Sequence, residues 1–251
     1  MSQNKCVLLV VDMQNDFISG SLAMKDCPAK QDGNHTIHVV NKLTSLPNWD
    51  LIVYTKDWHP ADHISFVTNA YKFERHEEST IDPTSAEVYD KVVFNVDGNQ
   101  RREQVLWPPH CIQSSWGSEL HPDLLVANGS HIVTKGMDKH VDSYSAFFDN
   151  QHLQETELRE LLQRNNITHV FVCGVATDVC VNFTVQDSLD LGYQTYLVED
   201  ACAGVSWQNI EVQVKKLVEK KANIIQSDQV SAELEKLHND KTTVTVPCNH
   251  D

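Results

Sequence analysis

VFVCGVATDVCV, residues 170–181, decides the architecture. Apolar, β-branched residues run into Gly174 and a Val-Ala-Thr-Asp turn, and a segment of helical period begins near Cys180. A strand that breaks directly into a helix is the repeating unit of a parallel sheet. The same grammar recurs along the chain. Apolar runs lie at 6–11 (CVLLVV), 51–55 (LIVYT), 131–134 (HIVT), 169–173 (HVFVC), 194–198 (QTYLV) and 222–226 (ANIIQ), with helical segments at 31–46, 153–164, 180–191, 207–220 and 229–237. This alternation predicts an α/β fold: a three-layer α/β/α sandwich around a mostly parallel, six-stranded, Rossmann-like sheet.

At 251 residues the chain is expected to form one domain. Residues 60–130 show little sustained periodicity. Within them 67–105 reads as an insertion or lid, with a turn at Asp97-Gly98-Asn99, and 239–251 reads as a polar tail.

Thirty-five acidic against 20 basic side chains give a formal charge of −15, which repels phosphate backbones and anionic lipid. We therefore expect no nucleic-acid partner and no membrane partner. The first apolar run is six residues long and meets Asp12 at once, too short for a signal or spanning segment, so the expectation is a soluble cytoplasmic protein. Seven cysteines contain no C-x-x-C pair, which argues against a disulfide framework. Association into a homo-oligomer stays open.

Ligands of open parallel sheets collect beyond the carboxyl ends of the strands. Asp12 closes the first run, Asp57 and His59 follow the second, Lys135 closes 131–134 and Cys180 follows 169–173. Singly, Asp12 reads as a turn cap and Lys135 as a surface lysine; a shared rim makes them chemical candidates. The two thiols separate by position. Cys173 sits in an apolar strand and reads as a small buried hydrophobe. Cys180 sits where a helix starts, and a helix N-terminus with a nearby lysine can bring a thiol from about 8.5 to below neutral. Asp57 and His59, two apart in an extended segment, project to one side, and His110 behind Pro108-Pro109 offers a third ligand. One carboxylate and two imidazoles suit Zn, Fe or Mn, although thirteen histidines leave a surface cluster equally open on spacing alone.

Together, VVDMQNDF (10–17), TKDWHPADHISF (55–66), LWPPHC (106–111), Lys135-Gly136 with YSAF (144–147) and GVATDVCV (174–181) resemble the nicotinamidase family, a branch of the isochorismatase-like cysteine hydrolases. The resemblance implies a catalytic triad of Asp12, Lys135 and Cys180. It implies one divalent metal ion, zinc ahead of Fe or Mn, on Asp57, His59 and His110, with His63 matching a position that ligates in some members and is replaced by water in others. It further implies substrate contacts from Phe17, Trp107, Tyr144 and Gln14, a cis Val175–Ala176 peptide, and an oxyanion hole from the amides of Ala176 and Cys180. The implied reaction is hydrolysis of nicotinamide to nicotinate and ammonia through a thioester, a step of NAD salvage. The alternative is a related amidohydrolase acting on another small amide or ureido compound; an inactive binding protein is a third reading, which the intact Asp12, Lys135 and Cys180 disfavour.

Overall fold

All six apolar runs become strands of one sheet. The computed structural model describes residues 4–98 and 100–240. In chain order its elements are β1 (Cys6–Val11), α1 (Asn15–Ile18), α2 (Gly33–Thr44), β2 (Leu51–Asp57), β3 (Glu74–Arg75), β4 (Lys91–Val96), β5 (Gln100–Val105) and β6 (His131–Lys135). They continue with α3 (Leu158–Arg164), β7 (His169–Val175), α4 (Asn182–Asp190), β8 (Gln194–Ala203), α5 (Trp207–Glu219), β9 (Asn223–Ile225) and α6 (Val230–Asn239).

The main sheet has the order β6-β2-β1-β7-β8-β9, and every neighbouring pair is parallel. β1 shows why it is covered on both faces. Its alternate residues Cys6, Leu8 and Val10 join a core with Ile37, Val40 and Leu43 of α2 and Leu234 of α6. Val7, Leu9 and Val11 point the other way, against Leu158 and Leu162 of α3, Val185 of α4 and Leu217 of α5. A strand apolar on both faces requires helices on both sides, which is the expected three-layer sandwich. Strand order reverses between β1 and β7, and such a switch point opens a crevice beyond the strand ends. Gly174 permits the tight packing there: its φ is 114°, and a Cβ would overlap the Val11 carbonyl.

The structure moves several expected boundaries. β2 runs on to Asp57, so this carboxylate sits on the strand end itself, and β8 extends to Ala203. The helix expected over 153–164 is confined to Leu158–Arg164, because Asp149 gathers the Gln151, Leu153 and Gln154 amides into a turn and Leu153 is exposed. A π-helical turn, Thr177–Val181, precedes α4. The segment 67–105 is ordered into a 3-10 turn and a three-stranded antiparallel sheet, β3-β4-β5, with a core of Ile64, Ala70, Val92, Phe94, Val96 and Leu106. Its polar β5, QRREQV, carries no strand signal of its own and is extended because β4 pairs with it along its length. Asp97 and Gly98, both at positive φ, begin the turn between them. The expected tail falls almost wholly on 241–251, outside the described residues.

Candidate active site

Four strand ends converge on one buried ammonium. Lys135 ends β6 opposite Asp57 of β2, and its side chain reaches past β2 towards β1. Its Nζ lies 2.5 Å from Asp57 Oδ1, 2.9 Å from Asp12 Oδ2 and 3.4 Å from Cys180 Sγ, and it donates to the Ser143 carbonyl at 2.9 Å. Asp12 turns back at the end of β1 with φ 51°, a conformation disfavoured for a residue with a Cβ and therefore held by its surroundings. Thr55 holds it: the hydroxyl donates to Asp12 Oδ1 at 2.6 Å and accepts the Asp12 amide at 3.1 Å.

Burial and mutual charge set the proton positions. Burial pushes the Asp12 carboxyl up to about 6, although Lys135 pulls the other way. Burial would likewise raise Asp57, but Lys135 and His59 outweigh it and hold that carboxylate below its usual range. Burial opposes charge on Lys135, yet Asp12 and Asp57 keep it protonated, well above the ordinary lysine range. Cys180 differs from the sequence expectation. Burial pushes its thiol well up, Lys135 only partly offsets this, and Asp12 and Asp57 push in the same direction as burial. The resting sulfur is a thiol, and a neighbouring base is needed to take its proton.

Beside this cluster, Asp57, His59 and His110 bring one donor atom each within 4.8 Å of one another. Each imidazole has its Nδ1 occupied behind it: His59 on the Gly136 carbonyl at 2.7 Å, His110 on the Pro108 carbonyl at 2.8 Å and His63 on Ser65 Oγ at 2.7 Å. Carbonyl acceptors at Nδ1 turn Nε2 of His59 and His110 towards Asp57, 3.5 and 3.9 Å from its Oδ2; burial opposes charge on His59, but Asp57 pushes that imidazole up. The buried Nε2 atoms of His59 and His63 have no hydrogen-bond partner, a costly arrangement that a cation would relieve. Burial and the neighbouring imidazoles hold His63 well down and His110 down at about 4, so both are neutral and able to ligate. Gly136, at φ 68°, makes room for His59, whose ring a Cβ would overlap. The donor set therefore fits a divalent ion. His63 stacks on His59 with ring centroids 4.1 Å apart and groups with His59 and Asp142.

A cavity of about 360 Å³, counting its open mouth, joins the two clusters. Phe17, Trp107 and Tyr144 line it with Asp57, His110, Ala176 and Cys180, and the Val175–Ala176 peptide is cis. Gln14 is placed differently from the expected substrate contact. It is wholly buried, its Nε2 donates to the Asp57 and Ser118 carbonyls at 2.8 and 2.9 Å, and its Oε1 accepts the Asp57 amide at 2.8 Å. With its amide engaged at both ends, it braces the backbone of Asp57 and does not line the cavity. Sequence reasoning missed Thr55, Asp142, Leu22, Met24 and Val205. Of these only Thr55 and Asp142 carried a signal, a polar residue at a strand end or beside the Lys135 loop. Cys173 is wholly buried, as expected, and burial raises its thiol well above the ordinary range.

The Isochorismatase domain family model matches residues 6–229. The chain belongs to the isochorismatase family. Among family members, the nicotinamidase of Escherichia coli (strain K12) is 36% identical over 203 residues, covering 80% of this chain and 84% of that protein. A solved structure described as a nicotinamidase and pyrazinamidase of Acinetobacter baumanii superposes with a TM-score of 0.76 at 33% identity, over 92% of this chain and 100% of the other. The pyrazinamidase of Pyrococcus horikoshii, solved in complex with zinc, superposes with a TM-score of 0.66 at 27% identity, over 88% and 99%.

Proposed function

We infer that the protein hydrolyses nicotinamide to nicotinate and ammonia. The observation that carries this reading is one small cavity joining an Asp-Lys-Cys cluster to an Asp-His-His cluster, in a chain similar to nicotinamidases along most of its length. Asp57 belongs to both clusters, and the cavity between Cys180 and His110, walled by Phe17, Trp107 and Tyr144, suits a small, flat heteroaromatic amide.

Asp57, His59 and His110, with His63 beside them, would hold a divalent ion, zinc being favoured by its presence in the Pyrococcus relative; when bound it supplies a Lewis-acid anchor for the pyridine nitrogen. Phe17, Trp107 and Tyr144 confine the ring. Asp12 takes the Cys180 proton, for which burial has already raised its affinity, while the Lys135 ammonium stabilises the thiolate. Sulfur attacks the carboxamide carbon, and the tetrahedral oxyanion forms against the Ala176 and Cys180 amides, donors worth about 3 kcal/mol each in comparable sites. Asp12 returns its proton to the leaving nitrogen and ammonia departs. A water then attacks the thioester, giving up one proton to Asp12; the carbon–sulfur bond breaks, Asp12 passes that proton to the Cys180 sulfur, and the acid product loses its remaining proton to solvent as nicotinate. Residues 67–105 are read as an insertion into a single hydrolase domain. Six unpaired cysteines among the described residues agree with a reducing, cytoplasmic setting, and no described helix is long and apolar enough to cross a membrane.

Ammonia release from nicotinamide tests the reading. Cys180→Ala is expected to lower kcat by roughly 10⁴-fold or more with the fold intact. Asp57→Ala, or treatment of the wild type with a chelator, should abolish turnover, and only the chelated wild type should recover on adding Zn²⁺. Full activity of Cys180→Ala would refute the mechanism, and no ammonia from metal-replete wild type would refute the substrate.

A further inference from the structure

Gln104 lies on β5, within the 67–105 segment and outside every motif block, yet its side chain is buried. A buried amide needs partners, and this one has them in the active site. Its Nε2 is 2.8 Å from the Val105 carbonyl, 3.0 Å from Asp142 Oδ2 and 3.1 Å from Tyr144 Oη. The same phenol oxygen accepts from Trp107 Nε1 at 3.3 Å. Two donors thus converge on Tyr144, and its ring cannot swing without breaking both bonds.

The position of that ring matters. Trp107 and Tyr144 line the inner cavity that holds Cys180, and they also line a larger outer cleft walled by Lys91, Glu103, Asn209 and Gln213. With Val179 and Val205, which also face both spaces, they form the partition between the two. Asp142, which accepts from the same Nε2, has its carboxylate within 4.8 Å of the donor atoms of His59 and His63. Its second oxygen accepts the amide of Ser143, whose carbonyl receives Lys135 Nζ.

We propose that Gln104 is a positioning residue that locks the Tyr144–Trp107 partition, so that substrate enters a wall already in place. The segment that lies outside the family motifs thereby contributes to affinity for substrate. The benefit is preorganisation, because a wall ordered before binding costs less to order on binding. The proposal rests on nicotinamide being the substrate.

Steady-state kinetics on metal-replete protein test it. Gln104→Asn keeps a buried amide but withdraws it by one methylene; it is expected to raise KM for nicotinamide about tenfold while kcat stays within about twofold. Tyr144→Phe removes the acceptor and should raise KM similarly. The double variant should be little worse than either single one, since both break the same tie. A residue that only supported the fold would lower thermal stability and active fraction, leave KM unchanged, and add to Tyr144→Phe. Unchanged KM in folded Gln104→Asn, or additive effects in the double variant, would overturn the proposal. If Gln104→Asn does not fold, Gln104→Glu, equal in length but opposed to Asp142, replaces it with the same expectation for KM. Wild type that releases no ammonia from nicotinamide removes the substrate reading and this proposal with it; wild-type turnover with unaltered KM in the variants removes the proposal alone.

Discussion

The chemistry of this site depends on residues that hold the reacting and ligating side chains without lining the cavity around Cys180. Thr55 is the clearest case: an ordinary β-branched strand residue whose hydroxyl holds Asp12 in a left-handed turn conformation. Gly136 is another, because its lack of a Cβ is what seats the His59 ring. Gly136→Ala should therefore displace His59, adding about 1 kcal/mol of backbone strain to the overlap. Elemental analysis after gel filtration is expected to find well under one metal ion per chain while circular dichroism shows a retained fold. One full equivalent of metal would contradict the role given to Gly136. At this scale the sequence announces residue types, and strand-end positions single out Asp12, Asp57, Lys135 and Cys180. It does not announce direction: Gln14, two residues beyond Asp12, turns to the Asp57 backbone instead of the cavity.

At the scale of elements, the turn after β7 is stapled from outside. Asp178, within the π-helical turn that carries Cys180, accepts the amides of Val205 and Ser206 at 2.8 and 3.0 Å, just before α5. Gly204 packs so closely that a Cβ would press on the Asp178 carboxylate. Asp178→Ala leaves two amides without their acceptor and should cost about 2–4 kcal/mol. Urea unfolding should show the lowered midpoint, and kcat for nicotinamide should fall with it as the Cys180 turn loosens. An unchanged midpoint would show that the staple carries no load. The strands were legible in the sequence because each is a short apolar run rich in β-branched residues, and the central β1 and β7 are buried along their whole length. β5 was not, since its polar residues QRREQ are extended by pairing with β4, a partner that periodicity within one segment cannot reveal.

For the molecule as a whole, stability should weaken on the acid side. His169 opens β7 in the core, and burial holds its imidazole down at about 4, against 6.5 for the exposed group. Between those values the unfolded chain binds a proton that the native state does not. Its contribution is complete above about pH 6.5 and is lost as the pH falls towards 4. Urea midpoints measured across that window are expected to decline less steeply in His169→Gln than in wild type. Parallel curves for the two proteins would assign the acid sensitivity elsewhere.

The sequence by itself determined that the chain alternates strand and helix, that the sheet is mostly parallel, and which ionisable groups stand at the carboxyl ends of its strands. Those properties are local: apolar runs, turn residues and short spacings within single segments. Only the tertiary structure decided that Lys135 reaches across β2 to Asp12 and Cys180, that burial keeps Cys180 a thiol, that Gln14 braces Asp57, and that Gln104 from a polar strand meets Asp142 and Tyr144. Strand order and side-chain direction set hydrogen-bond partners and desolvation, and both arise from contacts between residues tens of positions apart, which no single segment encodes.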